Sequence, residues 1–141
     1  VTVSDVLADK VHVDTGSGSV TLEDVDTRSL YVDTGSGGVE ADGVGADELT
    51  IDTGSGSVQL ELARMGHGSF EIDTGSGGIT LKLPADASAE VEADTGSGGV
   101  RLNLSGIDLR HSDDDEAEFV IGSGLAKMTL DTGSGSIRIS Q

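Results

Sequence analysis

The chain has 141 residues, enough for one domain, and a formal net charge of -18 from 26 acidic and 8 basic side chains. That balance disfavours DNA, RNA and anionic membrane surfaces and favours cations or basic partners. The absence of cysteine excludes a disulfide framework and a thiolate metal site, and no stretch approaches the ~20 apolar residues of a membrane-spanning helix. Aromatic residues make up only 2%, so any core must be built from Val, Leu, Ile and Ala. The chain opens on Val1 rather than Met, which suggests a processed or trimmed product and is compatible with a removed export signal.

The first patterned segment reads Val11, Val13, then Asp14-Thr15-Gly16-Ser17-Gly18, then Val20 and Leu22. Apolar residues alternate on both sides of a glycine-rich corner, as in two strands that each bury one face. The same arrangement follows at Asp33, Asp52, Asp73, Asp94 and Asp131, at intervals of 19, 19, 21, 21 and 37 residues. A period near 20 marks a solenoid in which each repeat is one coil. Four apolar columns run through it. The first is Val11, Leu30, Leu49, Phe70, Val91 and Met128, and the second Val13, Val32, Ile51, Ile72, Ala93 and Leu130. The third is Val20, Val39, Val58, Ile79, Val100 and Ile137, and the fourth Leu22, Ala41, Leu60, Leu81, Leu102 and Ile139. A one-residue slip would expose every column, so register is strongly specified.

These patterns predict an all-β, right-handed parallel β-solenoid, or β-helix, of about six coils with 19–21-residue repeats; an antiparallel β-sandwich is the alternative. The long last interval reads as a coil with an insertion at 105–121, carrying Asp113, Asp114, Asp115 and Glu116. Its alternative is two coils with Gly122-Ser123-Gly124 as a degenerate corner.

Candidate chemistry is sparse. Val13-Asp14-Thr15-Gly16-Ser17 matches the loop of aspartic peptidases, but that reaction needs two carboxylates from two lobes sharing a proton, and six copies in one small domain do not provide it. No nucleophile–base pair or phosphate-binding loop is legible, so the chain is read as a non-enzyme with no catalytic residues and no required cofactor. The motif aspartates, Asp14, Asp33, Asp52, Asp73, Asp94 and Asp131, should form a column. Each is expected to accept hydrogen bonds from the amides two and three residues on, as in an Asx turn, or the column is expected to hold calcium. The threonines Thr15, Thr34, Thr53, Thr74, Thr95 and Thr132 share the inward side and should form a buried ladder rather than an exposed ice-binding face. His111 beside Asp113–Asp115 is a minor metal candidate.

The combination of Leu-Pro-Ala-Asp-Ala-Ser-Ala at 83–89, the repeated corner, and Leu-Asp-Thr-Gly-Ser-Gly-Ser-Ile-Arg-Ile at 130–139 resembles the bacterial putative-adhesin family of β-strand-repeat domains of unknown function. That resemblance implies a non-enzymatic role on exported envelope proteins, extracellular or at the cell surface. Val1, Thr2 and Val3 at one end and Ile137, Arg138 and Ile139 at the other read as uncapped edge strands. The leading expectation is therefore an adhesin-like structural subunit that pairs with itself, end to end, into a filament. An envelope module that binds or senses a cation, a glycan or a surface protein is the alternative.

Overall fold

A computed structural model describes residues 1–141. Twelve strands and no helix make up the chain. The first three are long and bent, each forming one coil: β1 (Thr2–Ser17), β2 (Val20–Ser36) and β3 (Val39–Ser55). Shorter strands follow: β4 (Val58–Met65), β5 (Ser69–Thr74), β6 (Ile79–Lys82), β7 (Ala89–Thr95), β8 (Val100–Asn103), β9 (Ile107–Ser112), β10 (Glu116–Ile121), β11 (Ala126–Thr132) and β12 (Ile137–Ser140).

Coil stacks on coil by parallel, in-register pairing. Asp14 lies opposite Asp33, Asp33 opposite Asp52 and Asp52 opposite Asp73, with the flanking apolar residues aligned in the same way. This rules out the antiparallel sandwich; antiparallel pairing is confined to β7–β10 and β10–β9. The four columns point inward as their alternation requires, and 31 buried apolar residues form one continuous core. Every buried polar residue is a threonine, and no buried side-chain nitrogen or oxygen lacks a hydrogen-bond partner.

A fifth inward column, Val6, Val25, Val44 and Leu62, lines a middle face of each early coil. It follows a bend at Asp5, Asp24 and Gly43, whose φ angles of 53°, 51° and 67° lie in the left-handed region. Such a bend breaks strict alternation, so the column has no period-2 signature.

The stack does not follow chain order. β7 and β8 do not lie on β5 and β6. Instead β11 sits between β5 and β7, and β12 between β6 and β8. In space the motif aspartates therefore run 14, 33, 52, 73, 131, 94. Residues 105–121 form most of an antiparallel hairpin, β9–β10, laid along β7. Gly122 and Gly124, at φ 64° and 67°, turn the chain back into β11 and do not form a stacking corner.

Candidate functional site

The repeated motif is the chemically distinctive feature, so its stacking geometry is the place to look for function. Five of the six threonine hydroxyls donate across to the neighbouring coil, whereas Thr15 in the first coil donates to the Ser17 carbonyl of its own corner. Thr34 Oγ1 reaches the Gly18 carbonyl at 3.2 Å, Thr53 that of Gly37 at 3.0 Å, and Thr74 that of Gly56 at 2.9 Å. Thr132 reaches Gly77 at 2.8 Å and Thr95 reaches Gly135 at 2.7 Å. The threonine ladder is thus a set of buried staples, and its hydroxyls are not displayed to solvent.

The glycines permit that approach. The second glycine of each motif has positive φ, from 122° at Gly18 to 154° at Gly98. The first glycine sits against the preceding coil's backbone. A Cβ on Gly35, Gly54 or Gly133 would lie 2.5 Å from the carbonyl oxygen beneath it, and on Gly96 2.6 Å.

The aspartates do not cap their own corners. The amide two residues on donates instead to the neighbouring coil: Gly75 to Thr53 O at 3.0 Å, Gly96 to Thr132 O at 2.9 Å and Gly133 to Thr74 O at 3.2 Å. With that amide engaged across the stack, no motif Asp accepts from its own corner, and the Asp side chains turn outward as a ladder. At Asp73 burial and like charge act together. Partial burial and the adjacent Asp131, Asp52 and Glu71 push its carboxyl above the ordinary value of 3.8. On the same face Asp33, partial burial, Asp52 and Asp14 push the Tyr31 phenol up. Tyr31 packs on His12, ring centroids 4.7 Å apart. Along the ladder, and elsewhere in the chain, no three His, Asp or Glu side chains converge as a metal centre would require.

His111 lies at the tip of the β9–β10 hairpin, 3.1 Å from Asp113 and 3.9 Å from Glu116. The acidic run has a backbone role: the Asp114 carbonyl accepts from Val100 N at 3.0 Å and the Asp115 carbonyl from Thr95 N at 2.9 Å. These carbonyls satisfy the last corner where another coil would otherwise be needed. The hairpin therefore covers the last corner, contrary to the expectation that neither end has a cap, while β8 and β9 each keep one unpaired edge. Gly98, Arg101 and Asp113–Asp115 line an open cleft of about 760 Å³ beside it.

The two predicted association edges differ. Ile137, Arg138 and Ile139 are not at an end: β12 is paired on both sides, and Ile137 and Ile139 are fully buried. A filament joined through both terminal segments is therefore not available to this fold. Val1, Thr2 and Val3 do lie at an end, since β1 pairs only with β2. Arg64 was not singled out by the sequence pattern. Its guanidinium, raised further by hydrogen bonds to Asp47 at 2.7 Å and Asp26 at 2.8 Å, ties the second, third and fourth coils together.

Comparison with known proteins agrees with this architecture. The family model described as Toastrack DUF4097 matches residues 1–140. Among solved structures, one titled a putative cell adhesion protein from Clostridium sporogenes superposes with a TM-score of 0.60 at 14% identity, covering 95% of this chain and 92% of that one. At that identity the likeness speaks to the fold alone. The search of curated proteins returned no match.

Proposed function

The chain belongs to the Toastrack DUF4097 family, and from that premise we propose that it is a non-enzymatic, adhesin-like β-solenoid module carried outside the bacterial cell. One observation carries the reading: the Thr and Gly of the repeated motif are directed into joining coil to coil. What faces solvent is a ladder of like charges with no facing lobe, which suits a rigid display scaffold better than a reaction centre. The cell-adhesion title of the Clostridium sporogenes structure points the same way. Right-handed winding belongs to this reading, supported by the parallel pairing, since parallel crossovers are right-handed in nearly all cases. The test is retention of intact cells on surfaces, with protease shaving to locate the chain. Cells lacking it should be retained less. Equal retention, or a chain untouched by external protease, overturns the reading.

A cation-binding role for the outward aspartates is the second reading, favoured by the stacking of Asp73 between Asp52 and Asp131. Calcium should then raise the melting temperature beyond the effect of sodium chloride at matched ionic strength. Equal shifts mean screening only.

A further inference from the structure

Charge is unevenly spread over this molecule. Of its 8 basic residues, Arg28, Arg64, Lys82 and Arg110 stand against carboxylates. Arg101 and Arg138 take part in no ion pair, although the chain offers 26 acidic residues. They lie directly opposite each other instead, on β8 and β12. Both are exposed and face outward, because Ile137 and Ile139 on either side of Arg138 point into the core, with Val100 and Leu102 in register beside them.

The pair belongs to a strip of uniform character. Thr80 lies opposite Arg138 on β6, and one outward step along the strands Lys82, Ser140 and Asn103 are aligned. These six outward residues are three cations and three neutral hydrogen-bonding groups, with no carboxylate among them. Two strand spacings give the strip a width of roughly 10 Å. Acids stand at its margins: Glu61, held by Lys82 at 3.2 Å, and Asp113–Asp115 across the open cleft that Arg101 lines. They confine an anion to the strip. The strip is a sheet face, not a sheet edge, so a further strand beside β8 would widen it and leave it uncovered.

We infer that this strip of β6, β12 and β8 binds the carboxylate groups of an acidic polysaccharide. A guanidinium is planar and donates two parallel hydrogen bonds to a carboxylate, and Arg101 and Arg138 on neighbouring strands are placed to share one. Thr80, Ser140 and Asn103 supply donors and acceptors for sugar hydroxyls. No large exposed apolar side chain lies on these three strands, so the strip lacks the apolar centre that a protein partner would need. It has no ring on which a base could stack. A nucleic acid duplex also brings one charge per ~1.7 Å, which the -18 of the chain repels more strongly than one carboxylate per sugar. The proposal names a ligand class for the adhesive reading above and rests on it.

The probe is immobilised polygalacturonate, read by biolayer interferometry with the full chain at about 0.15 M NaCl, where acids more than ~8 Å away are screened. Binding should be saturable, and absent on neutral dextran. The double variant Arg101→Gln, Arg138→Gln should melt with the wild type, since neither side chain holds an ion pair, yet bind at least about tenfold more weakly, equivalent to 1.4 kcal/mol. Lys10→Gln with Lys127→Gln removes the same charge from two other exposed, unpaired cations and should bind as the wild type does. Four results overturn the proposal: no binding, equal losses in the two double variants, a lowered melting temperature for the arginine variant, or tighter binding to an RNA duplex than to polygalacturonate, which would make nucleic acid the occupant. If polygalacturonate binding fails while cell retention still depends on the chain, the strip is wrong and the adhesive reading stands.

Discussion

Gly54→Ala tests whether the glycines hold the coils at their observed separation. The new Cβ would lie 2.5 Å from the Gly35 carbonyl oxygen, and Cβ contacts essentially never fall below 3.0 Å, so the corner must open by at least 0.5 Å. Two bonds cross that gap, Thr53 Oγ1 to Gly37 O at 3.0 Å and Gly37 N to Ser55 O at 2.9 Å. Opening stretches both toward the limit of useful geometry, and each is worth about 0.5–1.5 kcal/mol net. Alanine also restricts the unfolded chain, which offsets about 0.4–1 kcal/mol. Distortion of the neighbouring coil adds to the loss, and the net destabilisation is about 2 kcal/mol. For a domain of this size that lowers Tm by roughly 5–8 °C. Differential scanning calorimetry of Gly54→Ala beside Gly16→Ala, whose Cβ would meet nothing within 4 Å, measures it. A Gly54→Ala Tm within a degree or so of wild type, or equal losses in the two variants, would refute the stacking argument.

Ile51→Asp should cost several kcal/mol, because Ile51 is fully buried and its carboxylate would have no partner; Glu71→Lys, on the exposed side of β5, should be within about 0.5 kcal/mol of wild type by chemical denaturation. Phe119→Ala should cost about 3–5 kcal/mol, since this fully buried ring joins the end cap to the core opposite Val91, and rapid amide exchange in β7 should accompany it. Asp73→Asn should stabilise the chain at pH 7. The folded pKa of Asp73 is raised, so its charge opposes folding above that pKa, and the advantage of Asn should fade as pH falls toward 3.8. An advantage that persists undiminished at acid pH would place the effect in packing rather than charge.

The sequence determined the coil and its register. Six copies of one corner, each flanked by residues alternating at period 2, admit a single alignment, because any slip exposes whole columns such as Val13, Val32, Ile51 and Ile72. It also placed the threonines inward. It did not reveal what they bond to: the acceptors are carbonyls of a neighbouring coil, 16 to 55 residues away in the chain. The Asx-turn expectation failed for the same reason, since local geometry offers the corner amides to Asp14 or Asp33 and only stacking gives them to the adjacent coil.

The order of the coils was decided by the tertiary structure alone. Repetition makes the coils nearly interchangeable, so Asp131 fits between Asp73 and Asp94 as well as it would fit beyond them, and no local pattern distinguishes the two. The β9–β10 hairpin settles the matter. Laid antiparallel against β7, with the Asp114 and Asp115 carbonyls satisfying the last corner, it occupies the far side of β7 and leaves β11 and β12 the slot between β5–β6 and β7–β8. A segment that reads as a free edge thereby becomes interior, because β12 gains a partner on each side.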